Sequence, residues 1–130
     1  MAAADTNVLV RLLLEDDEAQ ARAARSFLRS NAPLFVSHVV LAETAWVLAS
    51  AYRFKRAELE KLVEMLLDTE GIAIERPAVV RTALDHFAAS RADFADCLIL
   101  ATAQAAAAVP LATFDKNLGK LPGARRIGKK

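Results

Sequence analysis

A single cysteine, Cys97, in a chain of 130 residues excludes any intrachain disulfide. The disulfide scaffold of a small secreted domain is therefore ruled out, and a reducing compartment is expected. Charge of one sign is missing too: 17 Lys and Arg against 16 Asp and Glu leave a net charge of +1. Nucleic-acid binders usually carry a basic excess, so any such contact here has to come from a local basic surface. Only four glycines and four prolines are present, with no Gly/Ser-rich linker, low-complexity block or repeat of solenoid length. One domain over residues 1–130 is expected, long enough to bury about two-thirds of its unfolded surface. A chain that is 55% hydrophobic at so low a net charge has no reason to stay disordered.

No apolar run is clean enough for a bilayer. From Leu34 to Tyr52 the only formal charge is Glu43, and from Cys97 to Phe114 there is none. Both approach the roughly 20 residues a span requires. The first, however, contains Ser37, His38, Glu43 and Thr44, and the second is mostly alanine, with Gln104 and Pro110. A mid-span acid is costly in lipid. Asp5 also falls where the apolar core of a secretion signal would begin, with no basic residue before it. A cytoplasmic protein without a membrane segment is expected.

Short apolar runs alternate with helical spacing along the chain. Ala2–Ala4 is a weak strand ending at Asp5, followed by helical spacing through Val8, Leu9, Leu12 and Leu13. Asp16 or Asp17 opens a second helix with Ala19, Ala23 and Phe27 on one stripe. Leu34-Phe35-Val36 reads as a buried strand, and Ser37 caps a helix from His38 to Ala51. A two-sided helix follows at Arg56–Leu67, with Leu59, Val63, Leu66 and Leu67 inward. Gly71 breaks it before a strand at Ile72-Ala73-Ile74. Pro77 suits the first position of a helix through Ala89. Asp93 is the cap and Asp96 the third residue of a long helix to about Ala107. Strands at Leu111–Thr113 and Arg125–Ile127 close the pattern. Alternation of this kind implies a mainly parallel sheet of four to five strands covered on both faces, a three-layer α/β/α sandwich.

The chemistry lies in the acids that lack company. Glu43 has Val39, Val40, Trp46 and Val47 three and four residues away, and Asp96 has Ala92, Asp93, Ile99 and Leu100. Neither has a basic helical neighbour, so each must neutralise, find a distant cation or ligate a metal. Asp5 ends the first strand and Asp115 lies just beyond a later one, the strand ends at which doubly wound sheets bind ligands. Four converging carboxylates would repel by roughly 4 kcal/mol per pair at about 4 Å and an effective dielectric near 20. A hard divalent cation resolves that repulsion, and all-oxygen ligation favours Mg²⁺ or Mn²⁺. Each acid also has a bland account. Asp5 and Asp93 can be helix caps, Asp96 can complement a helix dipole, and Asp115 can be a turn residue. Glu43, mid-helix in an apolar run, is the hardest to explain that way.

These acids and their surroundings resemble the PIN-domain nucleases, most closely the VapC-like ribonuclease toxins of toxin–antitoxin pairs. The resemblance is carried by Asp5-Thr6-Asn7-Val8-Leu9, by Leu41-Ala42-Glu43-Thr44, by Ala92-Asp93-Phe94-Ala95-Asp96-Cys97-Leu98-Ile99 and by Ala112-Thr113-Phe114-Asp115-Lys116-Asn117. It covers nearly the whole chain. It implies a PIN-like fold in which Asp5, Glu43, Asp96 and Asp115 are the catalytic, metal-holding cluster. Asp93, Thr6, Asn7 and Thr113 match accessory positions. One departure is the run Ala2-Ala3-Ala4, where family members usually place larger aliphatics; alanine is a poor strand former, so a short first strand is expected.

The activity so implied is Mg²⁺- or Mn²⁺-assisted hydrolysis of RNA phosphodiester bonds, on tRNA or another structured RNA. An inhibitory antitoxin protein and a homodimer are the implied partners. Arg11, Arg91, Lys116 and Lys120 lie near the motifs and are candidates for RNA phosphates. His38 and His86 are isolated and read as packed or surface residues, and Cys97 as a buried small side chain. Trp46 and Tyr52 read as core or partner-interface residues rather than base-stacking platforms. Gly128-Lys129-Lys130 reads as a mobile end. A haloacid-dehalogenase-type phosphatase would need a second Asp where Asn7 stands, and a receiver domain an adjacent acidic pair, which Asp5-Thr6 is not. The remaining alternative is a non-catalytic PIN-like module that binds RNA or protein.

Overall fold

The computed structural model describes residues 1–14 and 16–128, so Lys129 and Lys130 of the expected mobile end lie outside the described residues. The chain divides into two compact units, Met1–Glu75 and Arg76–Lys130. In the first unit, strand β1 (Ala2–Ala3) leads through Ala4 to Asp5, the N-cap of helix α1 (Thr6–Leu13). Asp17 caps α2 (Glu18–Asn31), which ends before β2 (Leu34–Val36). Ser37 caps α3 (His38–Ser50), its hydroxyl accepting from the Val40 amide at 3.2 Å. Then come α4 (Arg56–Asp68) and β3 (Ile72–Ile74). Gly71 turns the chain between them at φ +90°, a conformation that costs a side-chain-bearing residue but not glycine.

The three strands are parallel in the order β1-β2-β3, with Ala2 beside Leu34 and Leu34 beside Ile72. Leu34 and Val36 are fully buried, with Leu9, Leu41, Leu48, Val63 and Leu66 among the residues that join them in this unit's core. Of the four residues expected inward on α4, Leu59, Val63 and Leu66 are buried and Leu67 is half-buried. The expected α2 stripe is different: Ala21 and Ala24 are buried, while Ala19, Ala23 and Phe27 are exposed. Alanines stand on several faces of that helix, so spacing alone does not choose the inward one; packing against α1 does.

In the second unit Pro77 takes the first position of α5 (Pro77–Ala88), followed by α6 (Phe94–Ala105). The two helices pack through an edge-to-face pair, Phe87 and Phe94, with ring centroids 5.8 Å apart. His86 Nε2 lies 2.7 Å from Gln104 Oε1 across the same pair. Strands β4 (Leu111–Thr113) and β5 (Ala124–Arg126) run parallel, joined through a 3₁₀ turn at Leu118–Lys120. Gly119 is required in that turn, because a Cβ there would sit 2.8 Å from the Cβ of Arg126. Among the described residues all strand pairing is thus parallel, in one set of three and one of two. Among the described residues, no helix is long and apolar enough to cross a membrane.

Candidate active site

In the first unit, Asp5 stands one residue beyond Ala4, whose amide donates to the Phe35 carbonyl as the last link of the β1–β2 ladder. Its Oδ1 accepts from the Val8 amide at 3.0 Å, so the capping role is real. That bond occupies one lone pair of a carboxylate that has about four. The next residue, Thr6, donates from its hydroxyl to Glu43 Oε1 at 2.8 Å. A helix N-terminus thereby fixes the orientation of an acid on a different helix. Glu43 itself is exposed on α3 rather than sunk among its apolar sequence neighbours. That face of α3 is turned outward: Val39 and Trp46 are 69% and 70% exposed, while Leu41, Thr44, Ala45 and Leu48 face inward. Asp5, Thr6, Asn7 and Glu43 line one open cleft of about 550 Å³ with Trp46 and Val47.

In the second unit, Asp93 occupies the N-cap position of α6, yet its side chain makes no capping hydrogen bond. Asp96 is half-buried in the first turn of that helix. Burial pushes its carboxyl above the usual carboxylate range, and the like charges of Asp93 and Asp115 push it further. Asp115 is held from both sides: its amide donates to Thr113 Oγ1 at 2.9 Å, and its Oδ2 accepts from the Leu118 amide at 2.7 Å. Thr113 thus positions Asp115 through the backbone, as Thr6 positions Glu43 through a side chain.

The basic candidates separate. Arg91 and Lys120 line a cleft of about 360 Å³ with Ser90 and Asn117. Lys116 is exposed beside Asp115. Arg11 is instead engaged within its own unit, donating from Nη1 to Asp16 Oδ1 at 2.8 Å and from Nε to Gln20 Oε1 at 2.7 Å. Tyr52 joins that network, its hydroxyl donating to Asp16 Oδ2 at 2.5 Å. This hydrogen bond, with Arg11 beside it, lowers the Asp16 carboxyl below its usual range. Tyr52 is thus a half-buried member of that network, while Trp46 lies exposed outside it; neither is core. Trp46 lies three residues after Glu43, a spacing that already puts the two on one helical face.

The donor chemistry fits a hard divalent cation. The candidate ligands are carboxylates only, and Asp93 and Asp115 repel Asp96 in a way a cation would relieve. The nitrogen and sulfur donors are engaged elsewhere. His38 Nε2 donates to the Glu75 carbonyl at 2.6 Å, His86 pairs with Gln104, and Cys97 is buried. Among the described residues, no three Asp, Glu, His or Cys side chains form a ready-made metal cage.

Comparison with known proteins gives the chain's family. A "VapC ribonuclease" from Aquifex aeolicus (strain VF5) is 25% identical over 120 residues, covering 90% of this chain and 89% of that protein. The family model for the PIN domain matches residues 2–124, a stretch that includes every acid described above. The chain therefore belongs to the PIN-domain family, and its helices and parallel strands are those of that α/β sandwich.

Proposed function

We propose that this protein is a metal-dependent endoribonuclease that hydrolyses RNA phosphodiester bonds, and that it is the toxin of a toxin–antitoxin pair. The observation that carries the proposal is the group of like charges at Asp93, Asp96 and Asp115, with Asp96 pushed toward its protonated form first by burial and then by these two neighbours. A chain keeps such repulsion where a cation is to be held. Asp5, Glu43, Asp96 and Asp115 are the proposed ligands, with Asp93 accessory. The name of the Aquifex relative supports RNA as the substrate.

When bound, Mg²⁺ or Mn²⁺ would lower the pKa of a water and offset charge on the leaving oxygen. The chain's own residues orient the rest. Thr6 holds Glu43 in one rotamer by a 2.8 Å hydrogen bond, and Asp5 is fixed by its cap to α1. Thr113 and the Leu118 amide hold Asp115 in place. Asn7 lines the same cleft as Asp5 and Glu43. Arg91 and Lys120, sharing a cleft, supply the local basic surface that the neutral chain otherwise lacks, and Lys116 extends it. Arg11 contributes less, because an RNA phosphate would have to displace Asp16 from it. A structured RNA such as tRNA, an antitoxin and a second copy of the chain are the proposed partners.

The test is cleavage of a panel of tRNA and other structured RNAs with Mg²⁺, Mn²⁺ or EDTA, run beside Asp5→Asn and Asp96→Asn. Metal-dependent cutting that disappears in both folded variants is the expected result. Cutting that survives EDTA and both substitutions would refute the proposal. RNA binding without cutting under any condition would assign a non-catalytic PIN-like module instead.

A further inference from the structure

Trp46 is the chain's one tryptophan, and its side chain is among the most exposed of the large apolar groups, at 70%. Burying an indole stabilises a fold by far more than burying most side chains, so leaving it outside forgoes a large gain. The neighbouring α3 positions Leu41, Thr44, Ala45 and Leu48 are buried, so the helix is packed and Trp46 is on its outer face. The ring pair Phe87–Phe94 does not involve Trp46, and among the described residues no ring contact is recorded for the indole. The cleft it lines is the one that contains Asp5, Thr6, Asn7 and Glu43. At about 550 Å³ that cleft falls within the range of sites for small organic ligands.

We propose that Trp46 is a substrate-contact residue that stacks on a nucleobase of single-stranded or looped RNA, next to the phosphate presented to Asp5 and Glu43; this rests on the nuclease proposal above. The chemistry on the two sides of the cleft is complementary to one nucleotide. Carboxylates alone repel a phosphodiester and need a cation to hold it, and they offer nothing to a base. An indole three residues further along the same helix supplies a flat, polarizable face for the base and no charge to oppose the phosphate. Stacking is indifferent to base identity, so Trp46 would grip a nucleotide without selecting one. It would also require an unpaired base, because the π-face of a paired base is covered by its neighbours. The predicted selectivity is therefore for loops and single-stranded segments over continuous duplex.

A lone tryptophan makes intrinsic fluorescence a report on this one position. In the full-length protein, titration with a short mixed-sequence 2′-O-methyl oligonucleotide should quench the emission saturably, in step with binding followed by anisotropy. The same sequence presented as a blunt duplex should quench it much less. Trp46→Ala should weaken oligonucleotide binding about 5- to 150-fold, the range seen when a stacking aromatic is replaced by alanine. On the RNA that the wild type cuts, it should raise KM much more than it lowers kcat. Trp46→Phe should stay within about threefold of wild type, since a phenyl ring also stacks. Because the side chain is exposed, the melting temperature of either variant should stay within about 2 °C of wild type.

Unquenched emission in a complex that anisotropy shows to be formed would overturn the proposal. So would wild-type affinity and KM in Trp46→Ala; if RNA were still cut, the nuclease assignment would stand while this one fell. Wild-type RNA handling in Trp46→Ala together with loss of a co-expressed partner protein would assign the indole to protein docking and equally overturn it. Failure of the wild-type chain to bind the oligonucleotide at all would overturn it too, and cleavage of the RNA panel would then decide whether the nuclease assignment falls with it.

Discussion

Asp5 has two roles that one pair of substitutions separates. Its carboxylate is a proposed metal ligand, and its Oδ1 accepts the Val8 amide at 3.0 Å as the N-cap of α1. That helix has only eight residues, too few to persist without tertiary support, so its first turn depends on the cap. Asparagine keeps an oxygen in the same place and caps about as well as aspartate, whereas removing a cap oxygen altogether costs about 1 kcal/mol. For 130 residues, an unfolding entropy of about 2.1 cal/mol/K per residue converts 1 kcal/mol into about 4 °C of melting temperature. Asp5→Ala should therefore melt about 4 °C below wild type. Asp5→Asn should melt within about 1 °C, because the charge–dipole interaction it loses is worth about 0.3 kcal/mol at an exposed, salt-screened site. Both variants should lose RNA cleavage to the same degree, since both remove the charge. The assay is thermal melting followed by circular dichroism in EDTA, paired with RNA cleavage in Mn²⁺. Equal melting losses in the two variants would refute the cap as the source of the effect, and cleavage retained by Asp5→Asn would refute the charge as the catalytic requirement.

Other expectations follow from the same geometry. Asp96 is raised by burial and by Asp93 and Asp115, so its charged form is disfavoured in the folded chain. The folded state holds this proton more tightly than the unfolded state. Stability from this group is therefore greatest below the ordinary Asp pKa and falls as pH rises through the higher folded value. Asp96→Asn should accordingly raise the melting temperature at neutral pH without metal while abolishing cleavage; a lower one would count against the repulsion. Mn²⁺ should raise the melting temperature of wild type in a concentration-dependent way and leave Asp96→Asn nearly unchanged, as differential scanning fluorimetry would show. Tyr52→Phe removes the hydrogen bond that chiefly lowers Asp16, so the Asp16 carboxyl should move back up toward its ordinary value in an NMR titration. Leu48→Ala, at a fully buried position, should cost about 2–5 kcal/mol in urea unfolding; a loss under 1 kcal/mol would mean the site is not core.

What the sequence determined by itself is local. Side-chain spacing and capping chemistry act within a few residues, so α4 falls at Arg56–Asp68, β2 at Leu34–Val36, and α1 and α3 begin behind Asp5 and Ser37. Alanine's poor strand propensity showed as well, since β1 is only Ala2–Ala3. The acids were legible because Glu43 and Asp96 stand in apolar helices without a basic partner at helical spacing. What tertiary structure decided is which face of each element turns inward. On α2 it buries Ala21 and Ala24 and leaves Phe27 outside, and on α3 it turns Glu43 and Trp46 outward together. It also decided which partners distant in sequence meet: Asp16 with Tyr52, Thr6 with Glu43, and Asp96 with the charge of Asp115. An apolar helix rich in alanine offers several faces of nearly equal transfer free energy, so its sequence cannot rank them. The shape of the neighbouring elements ranks them, and only the folded chain contains that shape.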